Sequence, residues 1–156
     1  METVYLETSF VSYLVARRSQ DVIIAGHQAT TADWWANRRS LFECFMSQVV
    51  IDEASAGDPD EITKRLAVLS TLSALEVTTD AESLTLAILS AGMLPARAIR
   101  DAAHVAVATV HGIDYLLTWN CKHLANAQIT RRIALVCVQM GFRMPVVCTP
   151  LELMGV

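Results

Sequence analysis

No apolar run in this chain is long enough to span a bilayer, although hydrophobic residues make up 53% of its 156 positions. No basic segment followed by a long apolar stretch opens it, so a signal peptide is not expected and a soluble cytoplasmic protein is. There is no internal repeat, no low-complexity tract and no linker rich in Pro, Gly or Ser, so one domain over residues 1–156 is expected. Cysteines number only four, and none forms a CxxC pair, which argues against a zinc knuckle and fits reduced thiols in the cytosol. Positive charge is not in excess: the formal net charge is −4. That excludes a protein that coats nucleic acid generally. It leaves open an enzyme that acts on nucleic acid through metal ions and a local basic rim.

What is present is an alternation of short apolar strands and helices. Residues 4–6 ("VYL") read as a strand, 9–17 and 21–39 as helices, and 41–47 as a second strand. A short helix over 48–57 and a longer one over 58–72 follow, the latter opened by Asp58, Pro59 and Glu61. Residues 75–78 read as a third strand. The helix over 79–92 carries Thr79 and Glu82 at capping-box spacing. A helix over 95–112, a strand over 114–119, a helix over 126–141, a strand over 145–149 and a turn over 150–155 complete the pattern. This predicts an α/β fold, a mostly parallel sheet of about five strands covered on both faces. Trp34 and Trp35 are adjacent on one helix, so only one can face inward, and the other is free for a partner.

In open α/β sheets, ligands bind beyond the carboxyl ends of the strands. Glu7 lies at such an end, Glu53 follows the second strand, and Asp101 lies on an otherwise apolar helix. Each acid has an ordinary role available: a helix cap for Glu7, a solvated helix residue for Glu53, a surface pair with Arg97 for Asp101. Were all three to converge, their repulsion would call for a cation, a shared proton or an arginine. Hard divalent ions such as Mg²⁺ or Mn²⁺ suit such a set, and an ion so held can activate water against a phosphodiester.

The segments "YLETS", "DEASAGD", "RDAAHVAVATVHGIDYLLTWN" and "CKHLAN" together resemble the PIN-domain proteins, in particular the VapC-like toxins of bacterial toxin–antitoxin modules. The resemblance implies a three-layer α/β/α fold, metal-dependent cleavage of RNA, and an antitoxin partner. By position it makes Glu7, Glu53 and Asp101 the catalytic and metal-binding acids. Two departures stand out. The first acid is Glu where the family usually has Asp. No carboxylate occupies the segment where a fourth acid is often found: "TWNCKH" offers Asn120 and His123 instead.

Around these acids, Ser9 and Thr118 are supporting candidates, with Thr8 and Ser9 expected to cap the first helix. Asn120 is a candidate to coordinate through its carbonyl, and His123 to contact metal or phosphate. Arg97, Arg100 and Lys122 are the cations expected to line a phosphate path. His104, on the helical side of Asp101, reads as a half-buried histidine with a supporting hydrogen bond available; His27 and His111 read as incidental. Two rival readings remain: a PIN-like module that binds RNA or protein without catalysis, and a phosphate-accepting receiver-like domain. The second is disfavoured because the strand "DYLLTWN" carries no lysine at its end. A homodimer is the commonest soluble oligomer and is the third partner to consider.

Overall fold

Apolar strands only three to six residues long must be buried on both faces, and that requires helices above and below the sheet. The computed structural model describes residues 1–156 and has this arrangement. Its strands are β1 (Glu2–Leu6), β2 (Phe42–Ser47), β3 (Ser73–Leu75), β4 (Tyr115–Leu117) and β5 (Val146–Cys148). They form one sheet in the order β3-β2-β1-β4-β5, with every neighbouring pair parallel. Parallel neighbours cannot be joined by tight hairpins, so each step needs a crossover. Helices α1 (Thr8–Val15) and α2 (Val22–Asn37) lead from β1 to β2, and α3 (Gln48–Ala54) and α4 (Pro59–Leu69) from β2 to β3. Helices α5 (Thr79–Ser90) and α6 (Ile99–Val110) lead to β4, and α7 (Ala127–Gln139) to β5.

The central strand is β1, where Val4, Tyr5 and Leu6 are fully buried. The chain builds outward from β1 through β2 to β3, then returns to add β4 on the other side. The sheet therefore reverses its order between β1 and β4, and the carboxyl ends of those two strands form the switch point at which open α/β sheets have their ligand crevice. Register Leu6↔Leu117 sets the next residues, Glu7 and Thr118, side by side at that crevice.

Several local signals act as the sequence predicts. Asp21 caps α2 by accepting from Ile23 N–H and Ile24 N–H, and Asp58 caps α4 ahead of Pro59. Others are corrected. The third strand is Ser73–Leu75 rather than 75–78, because it pairs with the end of β2, Ser47 facing Leu75, and pairing stops where β2 stops. The cap of α5 is Thr78, whose hydroxyl accepts from Ala81 N–H at 3.1 Å, and not Thr79. Of the two tryptophans, Trp34 is the buried one. It packs edge-on against Phe10 and donates from Nε1 to Leu153 O at 3.1 Å. Trp35 is half-buried beneath the guanidinium of Arg39, 4.4 Å from its ring centre.

Candidate metal centre

Alternation along β1 puts Tyr5 and Glu7 on the same face of the sheet. Glu7 ends the strand, its N–H donating to Leu117 O, and it is also the residue that caps α1. Only 4% of it is exposed. Its two oxygens have different surroundings. Oε2 accepts from Ser9 N–H at 3.1 Å, from the Ser9 hydroxyl, and from the Thr118 hydroxyl at 2.7 Å. Oε1 has no hydrogen-bond donor and lies 3.7 Å from His104 Nε2. One oxygen is thus anchored and the other faces the cluster.

Glu53, near the end of α3, reaches the same point. Its Oε1 accepts from the Thr8 hydroxyl at 2.8 Å and is hydrogen-bonded to His104 Nε2. Burial pushes the Glu53 carboxyl up. The hydrogen bond and charge of His104, the Thr8 hydroxyl and the charge of Arg100 outweigh it and hold the carboxyl below its ordinary value. Ligand atoms of Glu7, Glu53 and His104 all lie within 4.8 Å of one another.

Asp101 does not join this tight group. It sits one turn before His104 on α6, and its Oδ2 is bound by His123 Nδ1 at 2.9 Å. Asn120 turns its carbonyl oxygen into its own loop, where it accepts from His123 N–H at 3.0 Å. The segment expected to carry a fourth acid instead carries a histidine that pairs with the third. Ser9 and Thr118 both donate hydroxyl hydrogen bonds to Glu7 Oε2. Thr8 and Ser9 leave the expected cap to Glu7; Thr8 spends its hydroxyl on Glu53. Arg97, Arg100 and Lys122 are exposed, and none makes an ion pair.

The residue that sequence reasoning undervalued is His104. It is fully buried, not half-buried, and stands at the centre of the cluster. Its i, i+3 spacing from Asp101 placed it on the right helical side. What it meets comes from β1 and α3, and no local pattern reports that. His27 is also more than incidental: its ring stacks on Trp119 with centroids 4.0 Å apart.

Sequence comparison finds no family model and no curated protein that matches this chain. Structure comparison does find a likeness, to the crystal structure of VapC20 from Mycobacterium tuberculosis, a sarcin-ricin loop cleaving toxin. The TM-score is 0.61, over 77% of this chain and 92% of that one, at 18% identity. The fold is PIN-like. At that identity the PIN-like likeness concerns architecture. Any chemistry rests on the residues beyond the ends of β1 and β4, where Glu7, Glu53 and His104 meet.

The donor set fits a divalent ion. It offers two carboxylates and an imidazole from three elements, with one carboxylate oxygen free of donors. Opposite ligand atoms on a single Mg²⁺ are about 4.2 Å apart, and Glu7 Oε1 and His104 Nε2, at 3.7 Å, are already within that span.

Proposed function

We propose that this chain is a divalent-metal-dependent endoribonuclease and the toxin of a toxin–antitoxin pair. One observation carries the reading: two acids from separate elements converge at the crevice where the sheet reverses, and one of their oxygens has no donor. Two carboxylates at such a separation repel by about 3 to 4 kcal/mol at an effective dielectric near 20. A fold does not retain that cost without a cation to offset it, or a group standing in for one. The PIN-like architecture and the role of VapC20 as a sarcin-ricin loop cleaving toxin support the same class of reaction and of partner.

When bound, Mg²⁺ or Mn²⁺ supplies a polarised water and neutralises charge on a phosphodiester. Glu7 and Glu53 hold the ion. Ser9 and Thr118 fix the Glu7 carboxylate by its far oxygen, so its near oxygen keeps its aim. Asp101, oriented by His123, takes a proton at the edge of the cluster. Arg97, Arg100 and Lys122 bind backbone phosphates and draw the RNA toward an otherwise acidic protein. The half-buried Trp35 face of α2 is the surface on which an antitoxin or a second copy would dock.

The test is incubation of a mixed RNA pool that includes ribosomal RNA with the purified protein and Mn²⁺ or Mg²⁺. Cutting is expected, and it is expected to disappear with EDTA and in Asp101→Ala. Absence of both cutting and calorimetric metal binding would replace this reading with that of a non-catalytic binding module. The pairing of Asp101 with His123, in place of a fourth acid, is the observation that favours the module.

A further inference from the structure

His104 is the one member of the cluster that is not an acid, and none of its surface is exposed. Behind the ring, Nδ1 lies 2.8 Å from the Tyr5 hydroxyl, which lies 2.7 Å from Ser47 Oγ. In front, Nε2 meets Glu53 and points toward Glu7 Oε1. The ring is clamped on one nitrogen, and the other is aimed at the point where the carboxylates meet. A metal-bound histidine has this form: one nitrogen on the ion, the other held by a fixed partner that sets tautomer and orientation.

Neutral imidazole has two tautomers. With no ion, Nε2–H donates to Glu53, and the Tyr5 hydroxyl, which burial keeps protonated, lies at hydrogen-bond distance from Nδ1. With the proton on Nδ1, that N–H donates to the Tyr5 oxygen instead, and the Nε2 lone pair faces the ion. An ion bound there takes the place of the Nε2 proton, as it does at any histidine ligand. The other nearby imidazole, His123, has its Nδ1 on Asp101, outside the tight group.

Mg²⁺ prefers oxygen and keeps its water, whereas imidazole suits first-row transition ions. We propose that His104 Nε2 is a direct ligand of the divalent ion beside Glu7 and Glu53, and that this nitrogen makes the site select Mn²⁺ over Mg²⁺. The inference rests on the metal-dependent reading of the site and adds a ligand and a selectivity to it.

The experiment titrates Mn²⁺ and Mg²⁺ into the purified protein, read by calorimetry, and examines the Mn²⁺ form by pulsed electron paramagnetic resonance. A ¹⁴N coupling is expected in the wild type and in His123→Gln, and is expected to be lost in His104→Gln. The preference for Mn²⁺ over Mg²⁺ should fall about tenfold or more in His104→Gln, at least what removing a mere outer partner of a ligand costs. If His104→Gln does not fold by circular dichroism, ¹⁵N-histidine labelling of the wild type and of His123→Gln carries the assignment. Bound Mn²⁺ with no histidine coupling, or with a coupling that survives His104→Gln, overturns this inference and leaves the metal site standing. Binding of neither ion overturns both.

Discussion

Ser9 carries more of the site than its size suggests. Its hydroxyl donates to Glu7 Oε2 and accepts from Trp119 N–H at 2.8 Å, so one side chain ties the end of β1 to the segment after β4. Removing it leaves a backbone N–H without its acceptor and a buried carboxylate with one donor fewer. Ser9→Ala should therefore destabilise the protein by about 1 to 3 kcal/mol, the cost of an unsatisfied buried polar group. Urea unfolding measures it, and a change within 0.5 kcal/mol would mean that water replaces the hydroxyl freely. The extra methylene of Glu7 also has a role at this scale. With Oε2 held by Ser9 and Thr118, the longer side chain lets Oε1 reach Glu53 and His104.

Between elements, the central pair of strands is locked at its amino-terminal end as well. Asp114, just before β4, accepts from Thr3 N–H and from the Thr3 hydroxyl, each at 2.9 Å, and donates its own N–H to that hydroxyl at 3.0 Å. Those two bonds from Thr3, backbone first, hold the Asp114 carboxyl below its ordinary value. A carboxyl lowered in the folded state binds its proton less readily than in the unfolded chain. Its stabilisation is therefore complete above the usual aspartate value of about 3.9 and is lost as pH falls through the lower folded value. Asp114→Asn should be less stable than the wild type at pH 7, and the gap should close below pH 4 or so. Denaturant midpoints of both proteins across that range check it. A gap independent of pH would mean that the carboxylate charge does not matter to the lock.

Across the whole molecule, the charge pattern limits how RNA would be held under the proposed function. With a net charge of −4, a broad electrostatic grip is absent, and phosphate contacts would have to come from a few local cations. Arg97, Arg100 and Lys122 are exposed without ion pairs and are the three in question. If all three contact phosphates of a single strand, the logarithm of affinity should fall against the logarithm of salt with a slope near −2, at about −0.7 per contact. Arg100→Ala should make that slope shallower by about 0.7. A slope that Arg100→Ala leaves unchanged would place the RNA elsewhere on the surface.

Hydrophobic runs of strand length, alternating with capped helices, already point to a mostly parallel sheet of about five strands, because strand–helix alternation builds parallel crossovers that cover both faces. The acids Glu7, Glu53 and Asp101 stand out in the sequence because charge is costly at strand ends and on apolar helices. Local patterns go no further than that. That Glu7 serves as cap and cluster member at once depends on β1 and β4 being neighbours in a set register. That His104, and not Asp101, completes the tight group depends on how α6 packs over Tyr5 and Ser47. Periodicity reports which way a side chain points from its own element. Only the packing of distant elements decides what it meets there, and the chemistry of this crevice is made of such meetings.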